Sequence, residues 1–188
     1  MDENQVGEQS MNRKKMVINR RLSGSIFLII LALLVLVSAE ACARNHLGTS
    51  LSISLADRKV QEGETFPVEV RISTDTPCRG AQCALSFDPA LMKCDSVVEG
   101  GFFRDWATAN GSSTLMIPQS PSIDNTQGRV PTIGIAIMGG GGGGVKGSGV
   151  LCTYHFTALA DGTAEPTLSD VVVADESGQA ILDVKVNN

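Results

Sequence analysis

The chain has 188 residues, a formal net charge of −5, 20 glycines and only 4% aromatic residues. That length suits one domain. The few basic residues cluster only near the N-terminus, which excludes the basic face that a nucleic-acid partner needs. The two histidines, His46 and His155, stand far apart and there is no CxxC, so no zinc set, other metal site or cofactor is expected.

Residues 1–24 are polar, with a basic run at Arg13, Lys14, Lys15, Arg20 and Arg21. The stretch Ser25 to Val37 is almost wholly apolar, close to the length of a signal-peptide core and short for a membrane span of about 20 residues. Ala39-Glu40-Ala41 then offers a small-x-small exit. Residues 25–43 therefore read as an export signal or, uncleaved, as a membrane anchor, with the remaining domain, 47–188, at the cell surface or outside the cell. The membrane enters only through this segment. Cys42 sits where a lipoprotein signal places its lipidated cysteine, although Glu40 and Ala39 depart from that pattern.

From Leu51 the pattern is one of strands. Leu51, Ile53 and Leu55 alternate with serines, and Gln61 to Glu64 make a turn. Phe66, Val68, Val70 and Ile72 form the clearest amphipathic strand, which Thr76-Pro77 is expected to break. Cys83, Leu85 and Phe87 point one way, and Gln82, Ala84 and Ser86 the other. Asp88-Pro89 stops that strand, and Met92, Cys94 and Val97 open the next, so this unit should turn the chain from one layer of a sandwich to the other. Phe102 to Trp106 read as a satellite core cluster. Short strands follow at Leu115 to Ile117 and Ile133 to Ile137, separated by a polar loop, Pro118 to Pro131. Six glycines, Gly139 to Gly144, lack the Gly-Lys-Ser/Thr ending of a phosphate loop and read as a mobile connection. Val150 to Leu159, Leu168 to Val173 and Leu182 to Val186 complete about nine strands. The expected fold is all-β, a two-sheet antiparallel sandwich without helices or parallel crossovers. Its core should hold Phe66, Val68, Val70, Leu85, Phe87, Ile133, Ile135, Tyr154, Phe156, Val184 and Val186.

Asp170, Asp175 and Glu176 lack the spacing of a calcium loop and read as solvated turn acids. No nucleophile elbow or other catalytic set converges, so the domain is not expected to be an enzyme. Trp106 could stack on a sugar, but one tryptophan beside two phenylalanines more often joins a core.

The order of these pieces resembles a cohesin domain. The matching segments are Glu62-Gly63-Glu64 with FPVEVRI, then ALSFDPALM, DSVVEGGFF, IGIAIMGG, GSGVLCTYHFTAL and ADGTAEPTLSDVVVADESGQAI. The resemblance implies a jelly roll of nine strands, related to carbohydrate-binding modules. It also implies a docking receptor for dockerin modules, often carried by polysaccharide-degrading enzymes, as in a cellulosome. A carbohydrate-binding module of the same fold, with polysaccharide as its partner, is the alternative. With the cohesin strand order, Cys94 and Cys152 fall on neighbouring strands and Cys78 and Cys83 flank a tight loop. The implied disulfides are Cys94–Cys152 and Cys78–Cys83; the other reading is four small apolar core residues. The partner-binding face implied by the resemblance carries Ala84, Ser86, Gly134, Ala136 and Met138. It is small and poor in aromatics, which suits a protein better than a glycan.

Overall fold

The computed structural model describes residues 48–188. The expected signal or anchor segment, Cys42 and His46 lie outside the described residues. Ten strands and one helix follow in chain order: β1 (Ser50–Ser54), β2 (Lys59–Val60), β3 (Thr65–Ser86), β4 (Met92–Glu99), α1 (Gly101–Ala109), β5 (Ser113–Ile117), β6 (Arg129–Met138), β7 (Val145–Ala158), β8 (Gly162–Thr163), β9 (Thr167–Asp175) and β10 (Lys185–Asn187).

The strands make the expected two layers. One runs β10-β1-β3-β7-β4 and the other β9-β3-β6-β5. The small ribbon β2-β8 stands apart from both. The element shared by the layers is β3, a strand of 22 residues. Up to Thr74 it pairs with β1 and β7, and from Gly80 it pairs with β6 and β9. Thr76-Pro77 therefore bends the strand and does not end it. The ladder to β7 shifts register between Thr74 and Cys78, where proline has no N–H to give. Local bonds fill the gap. The Thr74 hydroxyl accepts from the Thr76 N–H at 3.2 Å and meets the buried Thr49 hydroxyl at 2.8 Å.

Asp88-Pro89 does carry the chain between layers, since β4 pairs with β7 in the first sheet. The Asp88 carboxylate accepts from the Ala90 N–H, and its carbonyl from the Met92 N–H. The loop before β6 is docked as well: Asn125 donates to the Cys94 carbonyl and accepts from the Cys94 N–H. Those bonds satisfy β4 at its bulge between Cys94 and Ser96.

Nine of the eleven expected core residues are buried. Tyr154 and Phe156 from β7 and Leu85, Ile133 and Ile135 from the facing sheet are among them. Phe156 stacks on Phe66 and meets Phe87 edge-on. Val184 is only partly buried and Val186 is 40% exposed. The cause is that β10 is a three-residue edge strand, paired parallel to β1. A parallel pair thus does occur, against expectation.

The helix α1 is the second departure. It spans nine residues, Gly101–Ala109, around the expected Phe102–Trp106 cluster, and puts Phe102, Phe103 and Ala107 into the core. Gly100 allows its entry, because a Cβ there would collide with the Val150 carbonyl.

Candidate functional site

The outer face of the sheet β9-β3-β6-β5 is built from registered rows. Gly80 lies between Ala174 on β9 and Ala136 on β6, and Ala136 lies beside Leu115 on β5. The next row is Val172, Gln82, Gly134 and Ile117. Adjacent outward positions on four strands are thus mostly glycine, alanine or aliphatic. With small residues in the middle and longer ones at the sides, the face is hollowed. A shallow groove of about 190 Å³ is lined by Gly80, Gln82, Gly134, Ala136, Ile117 and Val172. Its rims are apolar and open: Ile117 is 59% exposed and Val172 40%. Met138, 47% exposed, extends the patch along β6 opposite Ser113.

The five expected contact residues fare differently. Gly134 and Ala136 form the floor of the groove, and Met138 continues it. Ser86 is half-buried two residues beyond a bulge, near the end of β3. Ala84 is corrected: it is fully buried and presents no surface. Both ladders of β3 shift register around it, so alternation misreads its exposure.

Polar groups gather beyond Gln82. The Asp170 carboxylate accepts from the Thr132 hydroxyl at 3.2 Å and pairs with Arg129 at 3.5 Å, while its carbonyl accepts from Gln82 at 3.4 Å. Asp170 is thereby occupied at the rim of the face. Asp175 accepts from the Ser177 and Gln179 N–H groups and holds its own turn. Among the described residues no cluster of His, Cys, Asp and Glu is placed to hold a metal ion.

Sequence reasoning missed Gly80, Gln82, Ile117, Val172 and Ala174. The alternation of Gly80 and Gln82 with buried Ala81 and Cys83 was a usable signal. For β9 it was weaker, because Val171, Val172 and Val173 run without alternation.

The six glycines are tied rather than loose. The Arg79 guanidinium donates to the carbonyls of Gly139, Gly141 and Gly143. Its other side lies over the Trp106 ring at 5.9 Å. Trp106 is therefore partly buried on α1, under an arginine, and not on the groove.

Both implied disulfides are corrected. All four cysteines of the described residues are buried free thiols. Cys78 and Cys83 are five residues apart along one extended strand, about 16 Å. Cys94 stands opposite Phe156 and Cys152 opposite Glu99, an offset of about 13 Å along the ladder. A disulfide needs Cα atoms within about 7 Å. Cys83 on β3 and Cys152 on β7 are both fully buried. The Tyr154 hydroxyl lies 3.9 Å from the Cys83 sulfur. The neighbouring Cys83 side chain and burial push the Cys152 thiol well above its ordinary range.

A two-sheet jelly roll with one shallowly grooved, aromatic-free outer face defines a β-sandwich module. The cohesin domain family model matches residues 51–188, so the chain belongs to the cohesin family. No curated protein matches the chain in sequence. Solved structures share its fold. The second type II cohesin module of the adaptor scaffoldin ScaA from Acetivibrio cellulolyticus has TM-score 0.60 at 12% identity, covering 74% of this chain and 86% of its own. The non-cellulosomal cohesin of the archaeon Archaeoglobus fulgidus has TM-score 0.56 at 19% identity, over 75% and 87%. A cohesin solved in a type II cohesin-X-dockerin complex from Acetivibrio cellulolyticus has TM-score 0.57 at 10% identity, over 74% and 96%.

Proposed function

We propose that the domain is a non-catalytic docking receptor for a dockerin module, and that the groove on β9-β3-β6-β5 is where the module sits. The observation that carries this reading is the pair of registered rows, Ala174-Gly80-Ala136-Leu115 and Val172-Gln82-Gly134-Ile117. Glycine and alanine lose no rotamer freedom on binding, so a complementary surface seated there costs little side-chain entropy. The exposed Ile117, Val172 and Met138 supply apolar area at the margins. Cohesin membership and a structural neighbour solved with a dockerin support the choice of partner.

The carbohydrate-binding alternative is the weaker reading. A sugar face stacks rings on aromatic side chains, and neither row contains one. We further propose that residues 25–43 export the domain as a signal or anchor, and that it displays dockerin-bearing proteins outside the cell. Degradation of polysaccharide is the process this arrangement would serve.

The test is calorimetric titration of the chain with dockerin modules encoded in the same genome, alongside a cellulose pull-down. Saturable dockerin binding with no cellulose retention is expected. Retention on cellulose that depends on Trp106, with no dockerin bound, would replace docking by the sugar reading.

A further inference from the structure

We propose that Asp170 is the positioning residue of the groove: it fixes the point at which the strands on both sides of β3 change faces. On β9, Val172 stands opposite Gln82 and Ser169 opposite Ala84, so Asp170 and Val171 together face the single residue Cys83. On β6, Ile133 stands opposite Cys83 and Val130 opposite Leu85, so Pro131 and Thr132 together face Ala84. Each is a bulge with one extra residue, and each reverses the alternation that follows it. Leu168 on β9 is buried, and strict alternation from it would turn Val172 inward and Val173 outward. Instead Val173 is fully buried and Val172 is 40% exposed on the groove. In the same way the β6 bulge keeps Val130 and Ile133 both in the core and turns Gly134 and Ala136 onto the groove floor.

The two bulges are bonded to each other. The Asp170 carboxylate accepts from the Thr132 hydroxyl at 3.2 Å and from the Arg129 guanidinium at 3.5 Å, both on β6, and the Asp170 carbonyl accepts from the Gln82 amide at 3.4 Å. The bonds from β9 to β6 cross β3, whose Ala84 at that level is fully buried. Asp170 has a φ of 53°, in the left-handed region that aspartate tolerates and a β-branched side chain does not. Aspartate thus supplies two things at this position: a backbone turn that makes the bulge, and a carboxylate that holds it against β6. The consequence for docking rests on the groove being the docking face; the placement of Val172 does not.

A thiol reporter on the groove tests this. The full chain carrying Val172→Cys is alkylated while folded, well below its melting temperature, and the rate at the introduced thiol is read from its digest peptide by mass. Adding Asp170→Val should restore regular alternation, turn the reporter inward and slow its alkylation at least about tenfold. Asp170→Asn, which accepts the left-handed backbone and can still accept from Thr132, should keep the rate close to that of the reporter alone. General loosening of the domain would raise the rate in every variant, so slowing separates a change of face from lost stability. Asp170→Ala, which loses the carboxylate but strains the backbone less than valine, should slow it by about threefold and decides the matter if Asp170→Val does not fold. An unchanged or faster rate in both would overturn the proposal. Dockerin affinity, titrated on the same Asp170 variants without the reporter, should fall in the order in which labelling slows. Slowed labelling with unchanged affinity would uphold Asp170 as the positioning residue and remove docking from this groove.

Discussion

Phe87 shows what a single side chain contributes to this core. It is 7% exposed, meets Phe156 edge-on at 5.1 Å, and ends the strand segment that faces β7 across the sandwich. Phe87→Ala would empty that site between two sheets with little room to collapse. A loss of about 3–5 kcal/mol is expected in urea unfolding; a loss under about 1 kcal/mol would mean that the ring contributes as a surface group. Cys78 and Cys94 give the domain a pH limit. Burial pushes each thiol up to about 12 from an ordinary value of 9.0. A group whose folded pKa is raised stabilises below the unfolded value and loses that contribution as pH rises toward the folded one. The contribution of these two thiols should therefore be flat below about pH 8 and be lost between 9 and 12. The loss is on the order of 1 kcal/mol per thiol by about pH 10. Cys78→Ala should remove part of that slope in a pH series of urea titrations; an unchanged slope would assign the alkaline loss to other groups.

At the level of elements, legibility followed alternation. Phe66 to Ile72 and Ile133 to Ile137 alternate cleanly, and each is a half-buried strand whose inward residues are in the core. Period two says which residues share a face but not how long a ladder runs, so the continuity of β3 through Pro77 was not readable. Bulges break parity, which is why Ala84 was placed in solvent. The helix α1 is short and lacks an N-terminal side-chain cap, with glycine at its N-cap and no side-chain bond there. Only the i, i+4 pairs Phe102–Trp106 and Phe103–Ala107 hinted at it. Disulfide pairing was unreadable because it depends on register, which composition does not set. The glycine run depends on a residue about sixty positions away, Arg79, whose role no local pattern reveals. Arg79→Ala would leave three carbonyls to water and uncover Trp106. The expected cost is about 1 kcal/mol, since much of the guanidinium is near solvent. Amide exchange should rise at Gly139 to Gly144 but not in β3; unchanged exchange in the run would mean that it is held by other contacts.

For the whole molecule, the sandwich separates stability from recognition. The inward side of β3, β6 and β9 is apolar and close-packed, while the outward side of the same strands is a shallow surface of small residues with Gln82 and Val172. A substitution on the outer side can therefore fill the groove without entering the core. Gly134 is suited to this, since a Cβ there would meet only the Gln82 Cβ at 3.9 Å and the Ile117 carbonyl at 4.0 Å. Valine favours strands where glycine weakens them, so Gly134→Val should keep or slightly raise the melting temperature. If a dockerin packs into the groove, the two added methyls occupy its floor and affinity should fall at least about tenfold, roughly 1.4 kcal/mol. Ala136→Arg, which adds bulk and charge in the neighbouring row, should abolish binding with the melting temperature unchanged. Val98→Arg is the control, because Val98 is 48% exposed on β4 in the other sheet, and binding should survive it. Binding lost only in the control would move the interface to the β4 sheet. A large drop in melting temperature for Gly134→Val would mean that the rows are packed and the groove is not open to a partner.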